Sequence, residues 1–87
     1  MNRNEVIKIK KTLNVTDLSG EKVMIDFDSG KYFMIKGSGN DIWDLIQNEI
    51  TVDEIINALL KEYDVSEEEC AKSVEEFLGK LKEYDFI

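Results

Sequence analysis

Three observations predict an α+β fold, a three-stranded antiparallel sheet followed by three helices. Residues 6–36 run in short stretches that alternate apolar and polar side chains, broken by glycine-bearing turns. From Ser38 onward the apolar period lengthens from two toward 3.6. Two helix-start signatures, Thr51-Val52-Asp53-Glu54 and Ser66-Glu67-Glu68-Glu69, then divide the second half. The two halves meet in residues 31–43, where Gly37-Ser38-Gly39 turns a strand into a helix just before the only tryptophan, Trp43. Residues 1–87 read as one domain with one modest core.

The sheet half comes first. Residues 6–10, Val-Ile-Lys-Ile-Lys, form a half-buried strand or extended arm with Ile7 and Ile9 inward, and Leu13, Val15 and Asp17 continue the alternation. Ser19-Gly20-Glu21 is a turn signal. Residues 22–27 place Val23, Ile25 and Phe27 on one face and Met24 and Asp26 on the other, and the charge of Asp26 marks its face as solvated. Asp28-Ser29-Gly30 is a three-residue hairpin loop in which Gly30 takes positive φ. Pairing Phe27 with Lys31 across it sets Ile25 against Phe33 and Val23 against Ile35. Phe33 and Ile35 of the third strand, residues 31–36, then face the core, while Tyr32, Met34 and Lys36 point away.

The helices follow. Ser38 is an N-cap for a helix to about Gln47, with Ile42, Leu45 and Ile46 as its stripe and Trp43 beside it. The Thr51 capping box opens a second helix to about Tyr63, with the stripe Val52, Ile55, Ile56, Leu59 and Leu60. The Ser66 box opens a third helix to about Tyr84, with the stripe Cys70, Val74, Phe77, Leu78 and Leu81 and with Val65 as a staple. Phe86 and Ile87 are apolar enough to dock on the sheet or core. Only Asp64-Val65 joins the second and third helices, so the whole reads as winged helix-turn-helix-like.

Composition removes many chemistries. The absence of histidine excludes histidine bases, histidine-dependent nucleophiles and histidine metal ligands. Cys70 alone makes no thiolate metal site or internal disulfide, and its helical spacing marks it as a buried structural residue. Gly37-Ser38-Gly39 lacks both the third glycine of a dinucleotide fingerprint and the Gly-Lys-Ser/Thr of a P-loop. The expectation is a protein with no catalytic residues, no metal and no cofactor. No signal peptide or membrane-length apolar run is visible, so a cytoplasmic location without membrane contact is expected. Charge is uneven: residues 1–36 carry seven Lys/Arg and five Asp/Glu, for +2, and residues 37–87 carry four and fourteen, for −10. So acidic a helical half repels nucleic acid.

Four motifs in this order resemble a known family. They are Tyr32-x-x-Ile35-Lys36-x-Ser38-Gly39-x-x-Ile42-Trp43, Thr51-Val52-Asp53-Glu54-Ile55, Leu59-x-x-Glu62-Tyr63-Asp64-Val65 and Val74-x-x-Phe77-Leu78-x-x-Leu81. Together they resemble the PqqD-like family, the peptide chaperones of pyrroloquinoline quinone biosynthesis. Its relatives are the recognition elements of pathways for ribosomally made, modified peptides (RiPPs), including stand-alone leader-binding proteins of lasso-peptide clusters. The resemblance implies a winged helix-turn-helix-like domain that binds peptide, not DNA. The leader of a precursor peptide adds as a strand beside the third strand, in the groove toward the third helix. A leader protease or a radical iron–sulfur enzyme then acts on the precursor. Two departures stand out, Lys36 for the usual Asn and Ser73 for a common Asp.

An open strand edge carries unpaired N–H and C=O groups, a hazard unless it is blunted or used. Residues 31–36 hold no proline, and lysines stand only at the two ends. The expected peptide-binding residues are therefore Lys31, Tyr32, Phe33, Met34, Ile35 and Lys36 on the strand. The stripe of the third helix has two flanks, Ser73/Glu76/Lys80/Tyr84 and Ala71/Glu75/Leu78/Lys82, and periodicity does not decide between them; the first, which includes the family's Asp position, gives Ser73, Glu76, Phe77 and Lys80. Two other readings are a winged-helix DNA-binding regulator and a small acidic interaction subunit. Residues 66–77 carry five Glu against Lys72 alone, so duplex DNA is expected to show no salt-sensitive binding in an electrophoretic titration. Binding that weakens steeply with salt would restore the regulator.

Overall fold

Alternation leaves residues 21–27 with apolar side chains on both faces, and the turn that follows decides which face is inward. The computed structural model describes residues 2–11, 13–19 and 21–87. Its elements are β1 (Val6–Ile7), β2 (Asn14–Leu18), β3 (Glu21–Asp26), β4 (Lys31–Ile35), α1 (Ser38–Leu45), β5 (Ile50–Thr51), α2 (Val52–Glu62) and α3 (Glu67–Glu83). The main sheet is antiparallel in the order β2-β3-β4, and the three helices follow it in sequence, as the α+β reading expects. Gly20, in the predicted turn Ser19-Gly20-Glu21, lies outside the described residues.

The hairpin register corrects the sequence reading. Asp26 pairs with Lys31, Met24 with Phe33 and Lys22 with Ile35, so the loop is the four residues 27–30. One residue of slip exchanges the two faces of a strand. Met24 and Asp26 are buried, whereas Ile25 is exposed and Phe27 stands 74% exposed in the turn. On β4, Ile35 is buried, Phe33 half-buried, and Tyr32 and Met34 are exposed.

Asp26 explains the slip. Its carboxylate accepts from the Asp28 amide at 3.1 Å, the Ser29 hydroxyl at 3.1 Å and Lys11 Nζ at 3.2 Å. Its carbonyl accepts from the Gly30 amide at 2.9 Å, and Gly30 has φ +71°. Burial pushes the carboxyl up, but the hydrogen bonds from Lys11, Ser29 and the Asp28 amide outweigh it and hold the group below its ordinary value. A charge read as a mark of solvent is the inward anchor of the turn.

Residues 6–10 do not form the first strand of the sheet. Only Val6–Ile7 is strand, paired with β5 in a separate ribbon that the sequence did not announce. This N-terminal arm binds the start of α2: the Val52 amide donates to Glu5 O and the Asp53 amide to Arg3 O. Arg3 also reaches Asp53 and Glu67, through solvent-exposed pairs that contribute little beside the burial of Ile7.

The helix starts differ in quality. Thr51 forms the full reciprocal capping box with Glu54. Ser66 accepts from the Glu69 amide, and only this forward bond of the predicted second box is formed. At α1 the N-cap is Gly37, not Ser38, with no side-chain cap bond. Gly37 has φ +59° and turns the chain so early that Ser38 is already helical.

The C-terminal end of α3 is a Schellman turn without glycine. Asp85 takes φ +64°, its amide donates to Lys82 O at 3.0 Å, and the Phe86 amide donates to Leu81 O at 2.9 Å. The turn sends Phe86 into the core, where the Lys10 amide donates to its carbonyl at 2.7 Å. Phe86 and Ile87 thus join Met24, Ile35, Trp43 and the stripes of α1, α2 and α3 in one cluster.

Asp26→Asn keeps an acceptor for the turn but loses the charge that faces Lys11. The native carboxyl is held below its unfolded value, so its contribution is complete above about pH 3.9 and is lost as pH falls through the lower folded value. Urea unfolding is expected to give Asp26→Asn a lower midpoint than wild type at pH 7, with the two converging in acid.

Candidate peptide-binding groove

β4 is hydrogen-bonded to β3 on one side, and its other edge has no strand partner among the described residues. In an antiparallel strand alternate residues turn their N–H and C=O to each side, so this edge offers a row of unmade bonds. The flank of α3 runs beside it. Between them lies a hollow of about 310 Å³, floored by Met24, Phe33, Ile35, Phe77, Leu81 and Phe86 and rimmed by Tyr32, Met34, Lys80 and Tyr84. A second hollow of about 200 Å³ continues it, lined by Lys36, Ser38, Gly39, Ser73 and Glu76 and sharing Phe77 and Lys80 with the first. The larger sits at the lower bound of the roughly 300–1,000 Å³ of a typical site for a compact organic ligand, and the smaller falls below it. Their joint shape is an open trough along a strand.

Aromatic packing shapes one end. The Phe33 ring lies 4.4 Å from Tyr84, tilted by 35°, and 5.1 Å from Phe86 in an edge-on arrangement. Tyr84 and Phe86 are 5.7 Å apart. The Schellman turn therefore supplies one wall of the trough. The other end is polar, with Lys36, Lys80, Ser73 and Glu76 around Phe77.

The structure brings nine of the ten sequence-derived residues to this trough: Tyr32, Phe33, Met34, Ile35, Phe77 and Lys80 in the larger hollow, and Lys36, Ser73 and Glu76 in the smaller. Lys31 lines neither and sits at the turn end of β4, opposite Asp26. Sequence reasoning left out Met24, which the register slip had turned outward, and Leu81 and Phe86, which it gave only to the core. Tyr84 stood on the chosen flank of the third helix but was not carried into the expected binding residues. Cys70 is buried, with its thiol 3.7 Å from Ile56 O, and burial pushes its pKa up, which suits a structural residue. Among the described residues no group of three or more His, Cys, Asp or Glu is arranged to hold a metal. Among the same residues no helix is long and apolar enough to cross a membrane.

Comparison with known proteins places the trough in context. A family profile described as coenzyme PQQ synthesis protein D (PqqD) matches residues 21–87. Among solved structures, TbiB1 in complex with the TbiA(beta) leader peptide is similar, with a TM-score of 0.83 and 25% sequence identity over 92% of this chain and 93% of that chain. No curated protein sequence gives a significant match.

Gly39 controls how closely α1 approaches the trough. A Cβ there would lie 2.9 Å from Ile35 Cγ2 and 2.9 Å from Phe77 Cε1, while one at the exposed helical Gly79 would meet nothing within 4 Å. Replacing a helical glycine by alanine gains about 0.5–1 kcal/mol of stability where space allows. Overpacking a core costs about 1–3 kcal/mol. Gly79→Ala is therefore expected to raise the urea midpoint and Gly39→Ala to lower it, as read by Trp43 emission.

Proposed function

The chain belongs to the PqqD family, and on that premise we propose that it binds the leader segment of a ribosomally made precursor peptide and catalyses nothing itself. The leader adds as a strand to the open edge of β4 and seats alternate side chains in the trough against α3. The observation that carries this reading is the unpaired edge opening directly onto an apolar trough. The similar TbiB1 structure, which is a complex with a leader peptide, supports it.

Magnitudes divide the work. Each main-chain hydrogen bond contributes about 0.5–1.5 kcal/mol net and is blind to sequence. Each large apolar side chain buried contributes about 1.5–3 kcal/mol. Two or three anchors over Phe33, Phe77 and Tyr84 thus decide which leader binds. Lys36 and Lys80 face solvent and add less, mainly to the rate of encounter.

The same reading gives the protein a second partner, a processing enzyme such as a leader protease or a radical iron–sulfur enzyme. The exposed side chains of Tyr32, Met34, Ile25 and Phe27 form an apolar outer face beside the bound strand. That face favours meeting a protein partner more than a DNA backbone. An acidic interaction subunit without a peptide ligand is the competing reading, and co-purification of a partner with no precursor peptide would favour it.

Titration with a fluorescent synthetic leader of the precursor encoded beside the gene tests the proposal. Saturable binding is expected, and Phe77→Ala is expected to weaken it by at least about tenfold, the equivalent of 1.4 kcal/mol. No binding by folded wild type up to high micromolar peptide would overturn it.

A further inference from the structure

The trough does not stop at Ser73. A third hollow, of about 250 Å³, lies at the elbow between α2 and α3 and shares Ser38 and Ser73 with the trough's polar end. Leu59 and Cys70 form its buried floor. Tyr63 and Val65, which stand 40% and 42% exposed, border it. Val65 was expected to staple α3 by packing, yet it remains open to solvent beside the hollow. Exposed apolar side chains around an apolar floor are the makings of a small side-chain pocket.

Charge narrows the occupant. Glu69 lines the hollow, and the hydroxyl of Tyr63, another lining residue, donates to Asp41. Asp64, Glu67 and Glu68 are neighbours in sequence outside its lining, and Glu67 is paired with Arg3. Glu69, the charged residue of the lining, disfavours phosphate or carboxylate there, and with them a nucleotide or an acidic metabolite. The hollow suits a neutral aliphatic or aromatic side chain, best with Lys or Arg next to it in sequence.

We infer that the elbow is a second anchor site for the same peptide, resting on the leader-binding reading. One apolar leader residue, outside the segment that pairs with β4, enters the hollow after the peptide passes Ser38 and Ser73. The occupant follows from continuity: the strand-addition trough and the elbow share two wall residues, so an extended chain leaving the Lys36 end of β4 is led to it. Recognition then spans two separated apolar positions of the leader, and the spacing between them becomes a selectivity filter.

The test uses the full protein and synthetic peptides covering the leader of the precursor encoded beside its gene, shortened one residue at a time from each end. Wild type is expected to lose about tenfold in affinity when one apolar residue beyond the strand-pairing segment is removed. Val65→Trp, which fills the hollow and leaves β4 untouched, is expected to bind the full leader about tenfold more weakly and to show no such step. Amide NMR of wild type gives an independent readout: the full leader should shift Val65, Glu69 and Cys70, and the shortened one should not. Full leader that moves the amides of β4 and of Glu76–Glu83 but leaves Val65, Glu69 and Cys70 unmoved overturns this inference alone. No binding at all overturns the leader reading and the elbow site together.

Discussion

The fold depends on one register, and the register depends on one carboxylate. Asp26 gathers the Asp28 amide, the Ser29 hydroxyl and Lys11 beneath the β3–β4 turn. Those bonds fix the loop at four residues and pair Met24 with Phe33. Everything the groove needs follows: Phe33 and Ile35 point toward α3, while Tyr32 and Met34 point out. A three-residue loop would exchange the faces of β3 beneath them. The cost of burying a charge is met because each partner is placed by the turn itself.

The helical half was legible because its signals are local. The Thr51 box, the forward Ser66 cap and three stripes of period 3.6 each lie within a few residues and need no tertiary knowledge. The β4 half of the hairpin was legible for the same reason. The β3 half was not, because Val23, Ile25 and Phe27 outnumber Met24, and a count of apolar residues favours the wrong face. Asp26 looked like a solvent marker because its partners include a lysine 15 residues away. The β1–β5 ribbon joins residues far apart in sequence, and two-residue strands carry no periodicity. The Schellman turn escaped notice because Asp85 does the work usually given to glycine.

Most of the trough could be read from the sequence for a different reason. Strand residues 31–36 and one flank of α3 were named from pattern and resemblance, and they do face one another across a hollow. What pattern could not supply was the third wall. Tyr84 lay on the chosen flank, but Phe86 reaches Phe33 only because the chain reverses after α3. The N-terminal arm meets the same reversal from the other side through the Lys10–Phe86 bond. Residues outside the family match thereby brace residues inside it.

The outer face of the sheet has a colloidal consequence. An uncovered strand edge beside exposed Tyr32, Met34, Ile25 and Phe27 is a template for pairing with any extended chain, including another copy. No proline guards that edge; lysines stand at its two ends, and the net charge of −8 adds a general repulsion between copies. Such repulsion reaches only about 8 Å at physiological ionic strength and shrinks as salt rises. A guard of that kind is short in reach: it leaves β4 open to a short peptide and weakens wherever ions are abundant.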